Sequence, residues 1–364
     1  SSTEIAEAIE KGIQKIDPSI MVLKVPVADG GEGTVQALVC ATQGEIIPIT
    51  VTGPLLNKVE AFYGISGDGQ TAFIEMAAAS GLALLNRHEY NAMKATSYGT
   101  GELILHALDH GCRNIIIGLG GSATNDGAAG LLQALGLGLL DQNQSDLGFG
   151  GGDLEDLFAF DLRRFDQRIK ETSFILACDV ENPLCGPQGA SAIFGPQKGA
   201  SPSEVIHLDK CLRHFADLIE RDFGKQVAEI PGAGAAGGMG AGLMAFLDAR
   251  IVKGIDLIIE VSGLEASIAD ADCVITGEGM IDHQTAFGKT PLGIAKLAKK
   301  HGIPVIGIAG SLGQDLEQLY AMGFTSLFAI ADRPMTLDES MHGAKELIEK
   351  LAVNIIRLFL AGKR

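Results

Sequence analysis

The chain has 364 residues, 46% hydrophobic and 20% charged, a globular composition that excludes a disordered chain. Its 28 Lys and Arg stand against 45 Asp and Glu, a net charge of −17, which argues against nucleic acid or an anionic membrane as the main partner. No apolar run approaches the ~18 residues of a membrane span, and at roughly 100–200 residues per domain the length predicts two domains.

In chain order, Ile5, Ala6, Ile9 and Ile13 recur at helical spacing and predict a helix over Ser2–Ile16, capped by Ser2 or Thr3. Met21–Val27 reads as a strand that runs into Asp29-Gly-Gly-Glu-Gly. A helix over Thr34–Ala41 and a strand over Glu45–Val51 complete a βαβ reading. From about Thr71 to Gly263 the chain changes to long Gly/Ala-rich stretches and mixed elements. There, a strand at Asn114–Leu119 leads through GGSATNDGAAG into a helix ending at Leu135. A strand at Ser173–Asp179 and a polar helix near Pro202–Phe223 follow. The C-terminal part repeats the first grammar, with a strand at Cys273–Thr276, a helix at Pro291–His301 and a strand at Pro304–Ala309. A helix at Leu316–Met322, a strand at Thr325–Ile330 and a last helix from Asp338 to about Leu360 complete it. We read the two ends, residues 1–60 and 272–364, as one open α/β domain, with a second, larger α/β domain, residues 61–271, inserted between them. The six cysteines, at 40, 112, 178, 185, 211 and 273, show no CxxC and no zinc spacing, so reduced, mostly buried thiols in the cytosol are expected. No basic segment followed by an apolar one opens the chain, so no signal peptide is expected.

Two kinds of feature could carry chemistry. The first is glycine loops. Gly118-Leu-Gly120-Gly121-Ser122-Ala123 lies between a strand and a helix, the context in which backbone N–H groups seat a phosphate. It approximates a dinucleotide fingerprint, and Asp141, about twenty residues on, mimics the ribose-binding acid. The plainer reading is a tight turn that allows close packing. Pro231–Gly242 also contains GxGxxG, but Pro231 breaks any strand before it, and a closely packed segment is as good a reading. Gly288-Lys289-Thr290 resembles the end of a P-loop, yet His283 stands where the motif needs glycine.

The second is a set of acids at strand ends: Asp29, Asp179 and Glu278, with Asp282 four residues beyond. Open α/β sheets bind ligands at that edge, and carboxylates there suit Mg²⁺ with phosphates or a base for a hydroxyl. A turn or helix cap is the ordinary alternative for each. Asn125-Asp126 reads as a helix cap or a ligand contact. Lys198 in Phe194-Gly-Pro-Gln-Lys-Gly, like Lys289, reads as an anion ligand or a solvated turn. His106 and His110, at i and i+4 without a third ligand in sequence, read as surface or core residues. No GxSxG elbow is present.

Seven strings, in order along essentially the whole chain, carry a more specific resemblance. They are VPVADGGEGT (25–34), GLGGSATNDG (118–127), ACDVENPLCG (177–186), FGPQKGA (194–200), PGAGAAGGMG (231–240), ITGEG with Ile281-Asp282 (275–282), and GKTPLG (288–293). Together they resemble the bacterial glycerate kinase family of the glucarate and glyoxylate pathways. The resemblance implies a Rossmann- or flavodoxin-like domain made from both chain ends, with the second α/β domain inserted. It also implies ATP-dependent phosphorylation of D-glycerate at the 2-hydroxyl, with the 3-hydroxyl as the alternative position, and Mg²⁺ beside ATP. The expected setting is cytoplasmic, without nucleic-acid or membrane partners and with homo-oligomerisation left open. On this reading the candidate catalytic residues are Asp179, Lys198, Asp282 and Asp29. Gly120, Gly121, Ser122, Asn125, Glu278 and Lys289 bind the nucleotide, and Asp179 and Glu278 hold the metal. Lys198 and Lys289 offset phosphate or carboxylate charge. An NAD-dependent oxidoreductase built on the Gly118 loop, or a binding protein for a small acid, are the rival classes. The chain departs from the family pattern twice. It opens at the first helix, without the strand and Asp-Ser-Phe/Tyr-Lys segment that precede it in relatives, and Met280 replaces the usual Arg.

Overall fold

The computed structural model describes residues 2–25, 27, 33–287 and 290–362. The chain forms two compact units, Ala28–Leu257 and the pair of segments Ser1–Val27 and Ile258–Arg364. It is a mixed α/β protein with both parallel and antiparallel strands.

The unit of residues 28–257 contains strands β1 (Glu45–Thr52), β2 (Lys58–Ile65), β3 (Thr71–Glu75), β4 (Asn114–Gly118), β5 (Gly138–Leu140), β6 (Ala159–Asp161), β7 (Ser173–Ala177) and β8 (Arg250–Val252). Six of them form one sheet in the order β1-β2-β3-β4-β7-β8, antiparallel from β1 to β3 and parallel from β3 to β8. This corrects the βαβ reading of residues 21–51. Among the described residues β1 pairs only with β2, antiparallel, across a short turn in which Leu56 adopts φ +68°. Two-residue periodicity says that a strand forms but not which way its neighbour runs. The same pairing places residues 45–65 with β3 in this unit, whereas sequence reasoning grouped residues up to 60 with the chain ends. β4 and β7 are short apolar runs with mostly buried side chains, as parallel strands covered on both faces require.

The core joins Tyr63, Ile74, Leu103, Ile115, Leu131 and Phe215 among many others. Phe215 comes from the helix Pro202–Phe223, whose limits are written in the sequence. Ser201 and Glu204 form a reciprocal capping box, Pro202 takes the first turn, and Gly224 ends the helix at φ +68°.

The second unit has the parallel strands β9 (Val274–Ile281), β10 (Val305–Leu312) and β11 (Ser326–Ala329), in the order β11-β10-β9. The helix Ser2–Gln14 packs on the helix Ala344–Gly362, bringing Ala8 into a core with Ile306, Ile308, Ile348 and Ile355. The expected last helix is broken at Gly343 into Leu337–His342 and Ala344–Gly362. The expected strand at 21–27 is absent among its described residues. Met21 is 94% exposed and Leu23 65%, so these apolar side chains are not packed as a buried strand's would be. No helix among the described residues is long and apolar enough to cross a membrane.

Candidate active site

The parallel strands β3, β4, β7 and β8 end at a common edge. Gly118 pairs with Ala177, so the glycine loop and Asp179 leave neighbouring strands side by side. Asp179 is exposed there, and its Oδ1 accepts the Gly254 N–H at 3.0 Å, at the start of the helix Gly254–Ser262. Glu75 ends β3 and is buried. Its Oε1 accepts the Val35 N–H at 2.9 Å in the first turn of the helix Thr34–Ala41, where a carboxylate is favoured by the helix dipole. Sequence reasoning did not single out Glu75. The available signal was an acid closing the otherwise apolar strand TAFIE.

The Gly118 loop differs from the expected phosphate turn. The helix starts at Ala129, after the GGSATND stretch as the sequence reading has it, but runs only to Ala134, and ten residues separate it from β4. Between them the chain makes a folded loop. Gly120 and Gly121 are exposed, and Gly121, at φ +73°, accepts the Leu82 N–H through its carbonyl at 2.9 Å. From Ser122 to Gly130 every residue is buried. Asp126 is fully buried, and its carboxylate accepts from Ser97 N–H and Oγ–H at 2.8 Å and from the N–H groups of Ala128 and Gly130 at 3.3 Å. It thus caps the short helix from within. Burial raises its pKa, and these donors act in the opposite direction. Asn125 donates from Nδ2 to Ser191 Oγ at 2.9 Å, while its buried Oδ1 has no partner among the described residues.

Lys198 departs furthest from expectation. It sits in the turn Pro196–Lys198, closed by Gly199 at φ +89°, the composition of a solvated loop. Yet the side chain is 1% exposed and points inward. Nζ lies 2.7 Å from Ser122 Oγ and 2.6 Å from the Thr124 carbonyl oxygen. Burial pushes its pKa down to about 7, against the opposing pull of Asp126. The segment 231–240 supports this arrangement from behind. Gly237, at φ +72°, accepts the Gly127 N–H at 3.0 Å, and a Cβ on Gly237 would fall 2.0 Å from the Thr124 carbonyl oxygen. The second GxGxxG is therefore a closely packed segment that holds the first loop.

In the other unit, Glu278 lies inside β9, which continues past the expected end at Thr276. Its Oε1 accepts from the buried Thr285 hydroxyl at 2.5 Å, and the same hydroxyl oxygen accepts the Asp282 N–H at 3.2 Å. Glu278 and Asp282 are half-buried and Met280 is 49% exposed. Asp29 and Lys289 lie outside the described residues. Among the described residues no three His, Cys, Asp or Glu side chains gather as a metal set. Mg²⁺ needs only one or two carboxylates when phosphates supply the remaining oxygens, so a three-residue set is not required for a nucleotide-bound ion.

Three further features fall outside the site. His106 and His110 both direct Nδ1 at the Tyr63 hydroxyl, at 3.0 and 3.2 Å, as structural partners of a buried phenol. Asp141 closes a surface turn through the N–H groups of Asn143 and Ser145 at 2.7 and 2.9 Å, where the dinucleotide reading had it facing a ribose. The six cysteines form no disulfide; four are buried, Cys273 is half-buried and Cys40 is exposed.

A buried lysine bonded to a glycine loop at the ligand edge of a parallel sheet, with Glu75 and Asp179 at neighbouring strand ends, is an arrangement suited to acting on small anions. The glycerate kinase family matches residues 1–360, and the chain belongs to that family. It is 52% identical over 364 residues to the protein named glycerate 2-kinase from Escherichia coli K12, spanning 100% of this chain and 96% of that one. It is 50% identical over 355 residues to a glycerate kinase of Halalkalibacterium halodurans, covering 98% and 93%. The crystal structure of a candidate glycerate kinase 2 from Salmonella typhimurium LT2 superposes with a TM-score of 0.90 at 50% identity, covering 100% of this chain and 95% of that one.

Proposed function

We propose that the chain phosphorylates D-glycerate at the 2-hydroxyl, with ATP and its accompanying Mg²⁺ as cosubstrate, and releases 2-phosphoglycerate and ADP in the cytoplasm. The observation that carries this reading is the 52% identity, end to end, with the E. coli protein named glycerate 2-kinase. Phosphoryl transfer asks a protein mainly for positioning and charge stabilisation, and the strand-edge groups are of the kind it needs. In this reading the exposed backbone of Gly120 and Gly121 meets ligand oxygens, and Ser122 and Asn125 line the same loop. Asp179 in its unit and Glu278 in the other each keep the metal-carboxylate role that the family resemblance implies, and Asp282 follows Glu278 by four residues. Lys289 and Asp29 keep the phosphate-facing and base roles that the family resemblance implies. The unit of the chain ends is assigned a flavodoxin-like fold, supported by its parallel order β11-β10-β9.

The test is incubation with Mg-ATP and D-glycerate, read by ³¹P NMR. A 2-phosphoglycerate resonance is the expected result. A 3-phosphoglycerate resonance would keep the kinase and move the transfer to the other hydroxyl. ATP left intact beside glycerate would end the proposal.

A further inference from the structure

We infer that Ser122 and Lys198 form a proton relay, in which Ser122 Oγ receives the proton of the acceptor hydroxyl and passes its own to Lys198 Nζ. The inference rests on the kinase reading above and assigns who takes the proton in it.

Lys198 Nζ has fewer acceptors among the described residues than an ammonium has donors. An ammonium brings three N–H groups, and Lys198 Nζ has two acceptors among the described residues, Ser122 Oγ and the Thr124 carbonyl. At 1% exposure Nζ is shut off from bulk solvent. A neutral amine brings two N–H groups and a lone pair, and that lone pair can take the Ser122 O–H at the same 2.7 Å. Both acceptors are uncharged, so no carboxylate in contact holds the extra proton in place. The depressed pKa of about 7 agrees with this count. Asp126 is the charge that favours the ammonium once it forms.

Access points the same way. Gly120 and Gly121 are exposed on the N-terminal side of Ser122, and Ser122 itself retains 7% exposure. Ser122 thus stands between an open loop without side chains and an enclosed amine. In the step, the glycerate O–H bond breaks and its proton forms a new O–H bond on Ser122. The former Ser122 proton forms an N–H bond with the Lys198 lone pair. The electron pair left on the glycerate oxygen forms the bond to the γ-phosphorus, and the bond from that phosphorus to ADP breaks with its pair going to ADP. The ammonium returns its proton to solvent after release. A static cation at Lys198 would need none of this, so the two roles separate by experiment.

Two readouts decide it. The first uses no substrate: protein carrying ¹³C/¹⁵N-labelled lysine is titrated by NMR from about pH 5 to 11, with Lys198→Met used to assign the resonance. One amine titrating near neutrality, lost in the variant, is expected. If Lys198→Met does not fold, Ser122→Ala, which removes one oxygen, assigns the same signal by its shift. The second readout is the pH profile. Wild-type kcat is expected to fall about tenfold per pH unit below the titration of Lys198. Ser122→Ala should lower kcat by about 10²–10⁴ and abolish that acid limb, with the KM for glycerate little changed. Lys198 titrating with the surface lysines, near pH 10, would overturn the relay. So would Ser122→Ala retaining wild-type kcat and its acid limb. Wild-type protein that makes no phosphoglycerate defeats the kinase reading instead, a failure visible before any variant is made.

Discussion

The polar groups at the two strand edges are held in different ways. Around Ser122 they are buried: Asp126 and Asn125 are 0% exposed, and partners are drawn from as far away as Ser97, Ser191 and Lys198. In β9 and just beyond it they are half-open: Glu278 and Asp282 are half-buried, and the Thr285 hydroxyl donates to the Glu278 carboxylate while accepting the Asp282 backbone N–H. The first arrangement fixes geometry at the cost of desolvation, so any lost partner leaves a buried group unsatisfied. The second keeps water within reach, so its carboxylates can exchange partners cheaply. A substitution at the first edge should therefore damage folding and chemistry together, and one at the second edge chemistry alone.

The largest expected effect tests that contrast directly. Asp126→Ala removes the acceptor of Ser97 N–H, Ser97 Oγ–H, Ala128 N–H and Gly130 N–H inside the core. Orphaned buried donors cost about 1–3 kcal/mol each, with partial relaxation, so a loss of about 3–5 kcal/mol is expected in urea unfolding. A loss under about 1 kcal/mol would mean that water reaches this loop and that the two edges are alike.

Glu278→Gln is the matching change at the open edge. It keeps size and hydrogen-bonding capacity and removes one charge from a half-buried group. Stability should move by less than about 1 kcal/mol, as for substitutions away from buried networks. Turnover should fall about 10²-fold or more where that charge serves metal or hydroxyl. Equal losses of stability in Glu278→Gln and Asp126→Ala would remove the distinction.

What the sequence discloses follows the range of each interaction. The helix Pro202–Phe223 is legible to the residue because its capping box, its proline and its terminal glycine are local. Asp126 is legible only as one of two readings, cap or ligand contact, because its shortest bonds go to Ser97, 29 residues away. The inward turn of Lys198 is not. GPQKG has the composition of an exposed turn, and the partners of the lysine lie 74 and 76 residues away. Nor is the direction of β1 legible, since alternation in EIIPITVT is the same for a parallel and an antiparallel neighbour. Glycine loops mislead in a similar way. The pattern GLGGSA resembles a phosphate turn, but the ten residues that follow β4 fold into a buried loop, and Ala128, at φ +70°, stands just before the helix at Ala129.

The last expected effect is small over any one pH unit, a slope rather than a single loss, and it sharpens the contrast by asking what burial costs. An unfolded lysine titrates near 10.4, and Lys198 in the folded chain is pushed down to about 7. Between those values the unfolded chain holds a proton that the folded chain has released. Stability therefore rises with pH across that window, by at most about 1.4 kcal/mol per unit, and is lost again as pH falls towards 7. Below pH 7 both states are protonated and the slope vanishes. Lys198→Met has no such proton, so the stability difference between wild type and variant should be flat below pH 7 and grow in favour of wild type from pH 7 to 10. Urea unfolding at four or five pH values measures it. Parallel curves for the two proteins across the whole range would place Lys198 among ordinary, solvated lysines and make the edge at Ser122 as open as the edge at Glu278.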